Sequence, residues 1–298
     1  MSTPFRRIGL LAKTGDERAR AVVVQVVALL GKRGLESHVE RATAADAGLG
    51  GAAPGLDALV AHIDLLLCIG GDGTLLAAAR ACAPRGLPVF GLNAGRLGFL
   101  TDLAPERLES GLDAILAGRA GRERRDLVQA SVLHADGRRT DAGIALNDAV
   151  VQKRDAGRMI ELTTHVDTRF VCAHRADGLV VATATGSTAY ALSCGGPILH
   201  PGLDALAIVP ICPHTLSDRP IVVSGSSLVE IALAPGFNGH AQLTLDGQVG
   251  VAVGPGDRVQ VTRAAQPLTL LHPPGHDYFD VLRSKLHWGR GADPTNDR

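Results

Sequence analysis

The sequence predicts an α/β domain built on a doubly wound parallel sheet, followed by an all-β, sandwich-like second domain. Three observations carry this expectation. Apolar runs alternate with helical patterns up to about Gly121, and β-branched runs recur between turn signals after it. Within the first part, the run Leu65–Ile69 stops at Gly70-Gly71-Asp72-Gly73-Thr74, and an Ala-rich helical pattern follows at once.

In order, Arg7 to Ala12 reads as a strand and Asp16 to Leu30 as a helix, with Gly31 and Gly34 as stop signals. Leu35 to Val39 is a second strand, Thr43 to Gly55 an irregular Ala/Gly-rich link, and Asp64 to Ile69 a third strand. The helix over Leu75 to Ala83 leads to a strand at Pro88 to Leu92 and a helix over Pro105 to Ala117. This Rossmann-like alternation places ligands beyond the carboxyl ends of the strands, where Gly70–Thr74 and Asn93–Gly98 fall. Strands are then expected at Leu127–Leu133, Thr140–Val151, Met159–Val166, Phe170–His174 and Gly178–Thr183. Further strands follow at Ala205–Val209, Ile221–Val223, Leu228–Leu233, Gln242–Leu245, Val249–Val253, Arg258–Thr262 and Leu268–Leu271. One helix, Ser187 to Leu192, interrupts them. After Pro273-Pro274-Gly275, an amphipathic helix carrying Tyr278, Leu282 and Leu286 on one face is expected to pack on the first domain. The predicted domains are residues 1–122 with 276–298, and residues 123–275.

Composition excludes several classes. Thirty basic residues balance thirty acidic ones and aromatics are 3%, which argues against a nucleic-acid partner. No apolar run approaches the ~18 residues of a membrane span, and no signal-peptide pattern follows Met1–Arg7, so a cytoplasmic protein is expected. The five cysteines show no CxxC pair and read as reduced, mainly buried thiols. Eleven histidines show no metal-ligand spacing, so no protein-held metal is expected.

A strand, a Gly-rich turn and a helix start suit phosphate, because glycines admit close backbone approach and the helix end favours negative charge. An anionic Asp72 beside a phosphate is unfavourable unless it meets a proton or a metal ion. Gly70, Gly71, Gly73 and Thr74 therefore read as a phosphate-donor loop and Asp72 as a proton acceptor or metal-orienting group, against the plain reading of a capped turn. The loop is neither a Walker sequence nor a dinucleotide fingerprint. In Asn93–Leu100, Arg96 either neutralises phosphate or is a solvated side chain on a Gly-shaped loop. Asn147-Asp148 interrupts an apolar run, so at least one of the two is placed on each face, as ligand contacts or as a bulge or strand end with local hydrogen bonds. Thr183–Ser193 could present donors to an anion or a sugar, with Tyr190 as a wall, or could be a plain capped helix. Asp136-Gly137 and Asp246-Gly247 read as hairpin tips, and Asp177-Gly178 is ambiguous.

Taken together and in order, these words resemble the NAD kinase family, in its bacterial form. The resemblance rests on GGDGT at 70–74, NAGRLGFL at 93–100, LND at 146–148, RADG at 175–178, TGSTAY at 185–190, GGP at 195–197 and DGQ at 246–248. It implies phosphorylation of the adenosine-ribose 2′-hydroxyl of NAD to give NADP, with ATP, another nucleoside triphosphate or polyphosphate as donor. Carried over by motif, Asp72 is the proton acceptor and Gly73 touches NAD. Asn147, Asp148, Arg158, Arg175, Asp177, Gln248 and the segment Thr188, Ala189, Tyr190, Ala191, Leu192 and Ser193 are further NAD contacts. The resemblance also implies a divalent cation, Mg2+ or Mn2+, carried on the donor phosphates, and a homo-oligomer, a dimer or tetramer. A lipid kinase sharing GGDGT and a non-catalytic NAD(H) sensor are the alternatives; TGSTAY speaks against the first and the intact Asp72 against the second.

Overall fold

The computed structural model describes residues 5–95, 98–101, 103, 105–154, 159–215, 217–236 and 239–288. The chain divides into two compact units, Met1–Glu123 with Thr269–Arg298, and Arg124–Leu268.

The first unit begins with β1 (Arg7–Ala12), α1 (Glu17–Lys32) and β2 (Glu36–Val39). Asp16 caps α1 by accepting from the Arg18 and Ala19 N–H groups, and Val22, Val23, Val26, Leu29 and Leu30 form its buried stripe. Next come α2 (Arg41–Asp46), α3 (Leu56–Leu59), β3 (Leu65–Gly70), α4 (Asp72–Cys82), β4 (Val89–Asn93), α5 (Leu108–Leu116) and β5 (Gly121–Arg125). The stretch expected to be irregular after Thr43 thus opens with a short helix: Glu40 caps it through the Thr43 N–H, a contact its Ala/Gly content hid.

The second unit contains β6 (Val128–Leu133), β7 (Arg139–Ala145), β8 (Asp148–Lys153), β9 (Ile160–Val166), β10 (Arg169–Ala176) and β11 (Gly178–Thr183). A 3-10 turn at Thr185–Thr188 and α6 (Tyr190–Ser193) replace the single helix expected there. The unit continues with β12 (Ala205–Ile211), β13 (Ile221–Ser224), β14 (Val229–Leu233), β15 (Ala241–Leu245), β16 (Val249–Val253) and β17 (Arg258–Arg263). The predicted strand Thr140–Val151 is two strands, because the chain breaks at Leu146-Asn147 and changes sheets there. β18 (Leu268–His272) and α7 (Tyr278–Leu286) close the chain.

The first sheet runs β2-β1-β3-β4-β18-β5. β1 pairs in parallel with β2 and β3, and β4 in parallel with β3 and β18. β3 is buried along its whole length, which is why it reads as an unbroken apolar run rather than an alternating one. β18 belongs to this sheet; its apolar sequence resembles the strands of the β-rich unit, and only its pairing with β4 distinguishes it. α7 lies in the same unit and buries Val281 and Leu282. In the second unit two antiparallel sheets, β10-β9-β14-β17-β6-β7 and β13-β12-β11-β8-β15-β16, share one core that includes Val128, Leu162, Val181, Ile231, Leu243 and Val259. Among the described residues no helix is long and apolar enough to cross a membrane.

Candidate functional site

In the first unit, β1 leads to β2 on one side and β3 lies on the other, so the order reverses at the carboxyl ends of β1 and β3. That is where an open parallel sheet leaves a crevice, and β3 delivers the glycine loop to it. Gly70 has φ +152°, and a Cβ there would press on Thr74 Oγ1 and Lys13 Cβ at about 3 Å. Glycine is thus needed for both conformation and space. α4 starts at Asp72, with Gly71 at the N-cap and no side-chain cap. Asp72 is therefore the first helical residue, where the helix dipole favours its charge. Its carboxylate also accepts from the Phe99 N–H (2.9 Å) and the Leu100 N–H (3.1 Å). A Cβ on Gly98 would run into that carboxylate, so the second glycine motif is shaped to close over Asp72. The strand–turn–helix reading anticipated the position of Asp72 but not these two partners. Arg96 lies outside the described residues.

The second unit brings three distant segments together. At the break between β7 and β8, Asn147 is half-buried and Asp148 is 4% exposed. The TGSTAY turn is tied to this break. Thr183 Oγ1 donates to the Leu146 carbonyl (2.6 Å) and accepts from the Gly186 N–H (3.0 Å), and the Thr183 N–H donates to the Asn147 carbonyl (2.9 Å). Gly186 lies so close that a Cβ would overlap the Asn147 carbonyl. Ser187 Oγ donates to the Ala184 carbonyl and accepts from the Leu199 N–H (2.7 and 2.9 Å), fixing the far end of the turn.

The third segment is the hairpin tip between β15 and β16, where Asp246 and Gly247 have φ +51° and +64°. Asp246 does more than turn the chain. Its carboxylate is nearly buried and accepts from the N–H groups of Leu146 (3.2 Å), Asn147 (2.7 Å) and Asp148 (3.4 Å). Sequence reasoning assigned this aspartate only to the turn; nothing local signals a contact made 98 to 100 residues away. Burial, and then the nearby Asp246 charge, pushes the Asp148 carboxyl up to about 7.

These segments wall a cleft of about 360 Å³ lined by Asn147, Asp148, Gln152, Ala189, Tyr190 and Asp246 among others. Tyr190 is 41% exposed over it, an aromatic face available for stacking. The remaining described residues named from the motifs are not among those lining this cleft. Asp177 pairs with Lys153 Nζ at 2.6 Å, and Arg175 pairs with Glu161 on an exposed surface at 3.3 Å. Ala191 is buried in the unit's core; Thr188 and Leu192 are half-buried, Ser193 is exposed, and Gln248 donates its N–H to the Leu245 carbonyl. Arg158 lies outside the described residues.

The cysteines depart from expectation: Cys68 and Cys82 are buried, but Cys172 and Cys194 are half-buried and Cys212 is exposed. Among the described residues two groups with metal-ligand spacing also occur, Glu123 with His272 and His276, and Cys172 with His174 and Asp218. The sequence signals were a Cys-x-His pair at Cys172 and His174 and a His-x3-His pair at His272 and His276.

The comparisons with known proteins cover both units. The ATP-NAD kinase N-terminal domain matches residues 54–120 and the ATP-NAD kinase C-terminal domain matches residues 146–272. The NAD kinase of Aromatoleum aromaticum is 43% identical over 290 residues, 97% of this chain and 96% of its own length. That of Thiobacillus denitrificans is 44% identical over 291 residues, 97% and 99% of the two chains. Among solved structures, an Archaeoglobus fulgidus NAD kinase in complex with ATP is 28% identical with a TM-score of 0.74, covering 94% of this chain and 98% of its own. Yeast NADH kinase complexed with NADH shares the fold, with a TM-score of 0.90 at 23% identity over 98% of this chain and 90% of its own. The chain belongs to the NAD kinase family, enzymes that phosphorylate NAD to NADP with ATP.

Proposed function

We propose that this chain transfers the terminal phosphoryl group of ATP to the 2′-hydroxyl of the adenosine ribose of NAD, with Asp72 as proton acceptor. The observation that carries this reading is the Asp72 carboxylate, fixed by two backbone N–H groups at the start of a helix beyond the carboxyl end of a buried parallel strand. In the reaction, the ribose oxygen forms a bond to the γ-phosphorus while the bond from that phosphorus to the β-phosphate oxygen breaks. The hydroxyl proton passes to Asp72 and ADP leaves. A sugar hydroxyl is a weak nucleophile near neutral pH, and in a loose transition state the base serves mainly to remove that proton and hold the oxygen in line. Gly70, Gly71, Gly73 and Thr74 hold donor phosphates through backbone and hydroxyl groups. The divalent cation enters as part of the substrate, on the donor phosphates, which supply the hard oxygen ligands that Mg2+ prefers.

Recognition of NAD is assigned to the second unit. Asn147 and Asp148 offer amide and carboxyl groups to ribose hydroxyls or the adenine edge, and Tyr190 offers a face for a planar ring. Asp177, Arg175, Gln248 and Thr188–Ser193 complete the same reading as positions carried by motif, and a homo-oligomer is its expected assembly, checked by light scattering. The test is purified protein with NAD, ATP and Mg2+, read by an NADP-specific dehydrogenase. NADP formation that disappears in Asp72→Asn, with NAD still bound, supports the assignment; unchanged turnover in Asp72→Asn at saturating substrates refutes it.

A further inference from the structure

Along strand β10, Phe170 and Val171 are exposed, and from there the faces alternate: Ala173 and Arg175 are exposed, Cys172 is half-buried and His174 is buried. Cys172 and His174 are two residues apart, so the pleat puts both side chains on one face. The register shift between Phe170 and Cys172 against β9 sets which face that is. A third group arrives from the connection between β12 and β13. There the His214 N–H donates to the Arg175 carbonyl (2.8 Å), tying this connection to β10, and Asp218 turns back toward the strand. Its Oδ2 lies 3.1 Å from His174 Nδ1 and its Oδ1 lies 3.8 Å from Cys172 Sγ.

One donor atom from each side chain lies within 4.8 Å of the other two. Around a tetrahedral ion with bonds of 2.0–2.3 Å, neighbouring ligand atoms stand roughly 3.3 to 3.8 Å apart. The Asp218 carboxylate stands close to this spacing from both partners, 3.1 Å from His174 through Oδ2 and 3.8 Å from Cys172 through Oδ1, so the three side chains already converge on one point without backbone movement. We propose that Cys172, His174 and Asp218 form a site for a borderline divalent ion of the Zn2+ class, distinct from the cation that travels with the nucleotide. Thiolate, imidazole and carboxylate together select zinc-like ions, whereas Mg2+ and Ca2+ prefer all-oxygen sets. On binding, the Cys172 thiol loses its proton to solvent and Nδ1 of His174 takes the metal, leaving the ring proton on Nε2. Water fills the fourth position on the partly open Cys172 side. The ion pins the connection carrying Asp218 to β10, next to Arg175. Because a proton is released, affinity rises with pH.

The test uses the full chain stripped of metal and titrated with Co2+, read by thiolate-to-cobalt charge-transfer absorption. The Glu123, His272 and His276 group has no thiol and gives no such band, so the readout separates the two clusters. The expected result is a band that saturates at one ion per chain and is displaced by Zn2+ but not by Mg2+. Cys172→Ser abolishes the band, Asp218→Asn weakens binding by more than about tenfold, and Cys212→Ser leaves both unchanged. Asp218→Asn can still hydrogen-bond His174, so it tests the site in a folded chain even if Cys172→Ser is destabilised. Absence of the band, its survival in Cys172→Ser, or unaltered affinity in Asp218→Asn overturns the proposal. NADP formation with Mg2+ and ATP is expected to be the same in Cys172→Ser as in the wild type.

Discussion

Replacing Asp148 with asparagine isolates a buried carboxyl whose ionisation the fold opposes. Asp148 is 4% exposed, and burial followed by the Asp246 charge raises its titration from the ordinary 3.8 to about 7. Ionising it in the folded chain therefore costs about 4 kcal/mol, roughly three decades at about 1.4 kcal/mol each. The direction of the pH effect follows from proton binding. Between about pH 4 and pH 7 the folded chain keeps a proton that the unfolded chain has released. The associated stability is fully present below about pH 4 and is lost as pH rises through about 7. Asparagine carries no charge anywhere in this range. Relative to Asp148→Asn, the wild type should lose up to about 4 kcal/mol between about pH 4 and pH 8, leaving the variant the more stable protein at the alkaline end.

Urea unfolding of both proteins, followed by circular dichroism at a series of pH values, measures this difference directly. The same carboxyl links stability to function. Ionised, it accepts hydrogen bonds from hydroxyls or an amino group; protonated, it gives up part of that capacity. The NAD affinity of the wild type should accordingly rise through about pH 7, while that of Asp148→Asn should be weaker and flat. A stability difference that does not change with pH would refute the coupling of Asp148 to its burial and to Asp246.

Asp72→Asn is expected to lower kcat by roughly 10²- to 10⁴-fold, with NAD affinity by calorimetry nearly unchanged. Gly186→Ala drives a Cβ into the Asn147 carbonyl and should cost about 2 to 4 kcal/mol in urea unfolding and raise the KM for NAD. Ser187→Ala leaves the buried Leu199 N–H without the Ser187 oxygen and should cost about 1 to 3 kcal/mol, with kcat of the folded fraction retained. Asp246→Ala removes the acceptor shared by three N–H groups and should raise the KM for NAD more than it lowers kcat, as steady-state kinetics can measure.

What was legible in the sequence was local. The parallel strands showed as alternating apolar runs and helices, α1 showed through its apolar pattern and the glycines that end it, and the phosphate loop showed through three glycines around one acid. What was not legible depends on partners far along the chain. The sequence marked Asn147-Asp148 as an interruption or strand end, but not the change of sheet there, which depends on β8 pairing with β11 and β15 far along the chain. Leu268–His272 looked like one more strand of the β-rich unit, and only its pairing with β4 assigns it to the first sheet. Cys172 and His174 were each unremarkable until the connection carrying Asp218 was laid against β10.

The TGSTAY segment illustrates how a motif divides between structure and chemistry. Its Gly186 and Ser187, with Thr183 just before it, point away from any ligand role and into hydrogen bonds or close packing with Leu146, Asn147 and Leu199. Asp246 performs the same service from the opposite side, so the backbone of Leu146–Asp148 is held from both directions. The ties range from 2.6 to 3.4 Å in buried and half-buried settings, where leaving a donor unmet would cost about 1 to 3 kcal/mol. The backbone that carries Asn147 and Asp148 is therefore held before a ligand arrives, and little backbone ordering remains to be done on binding. On the proposed reading of this cleft as the NAD site, its few polar side chains and one aromatic face rest on supporting residues such as Thr183, Gly186, Ser187 and Asp246. Most of them hold the chain rather than the nucleotide, and their loss should appear as weaker NAD binding rather than as slower phosphoryl transfer.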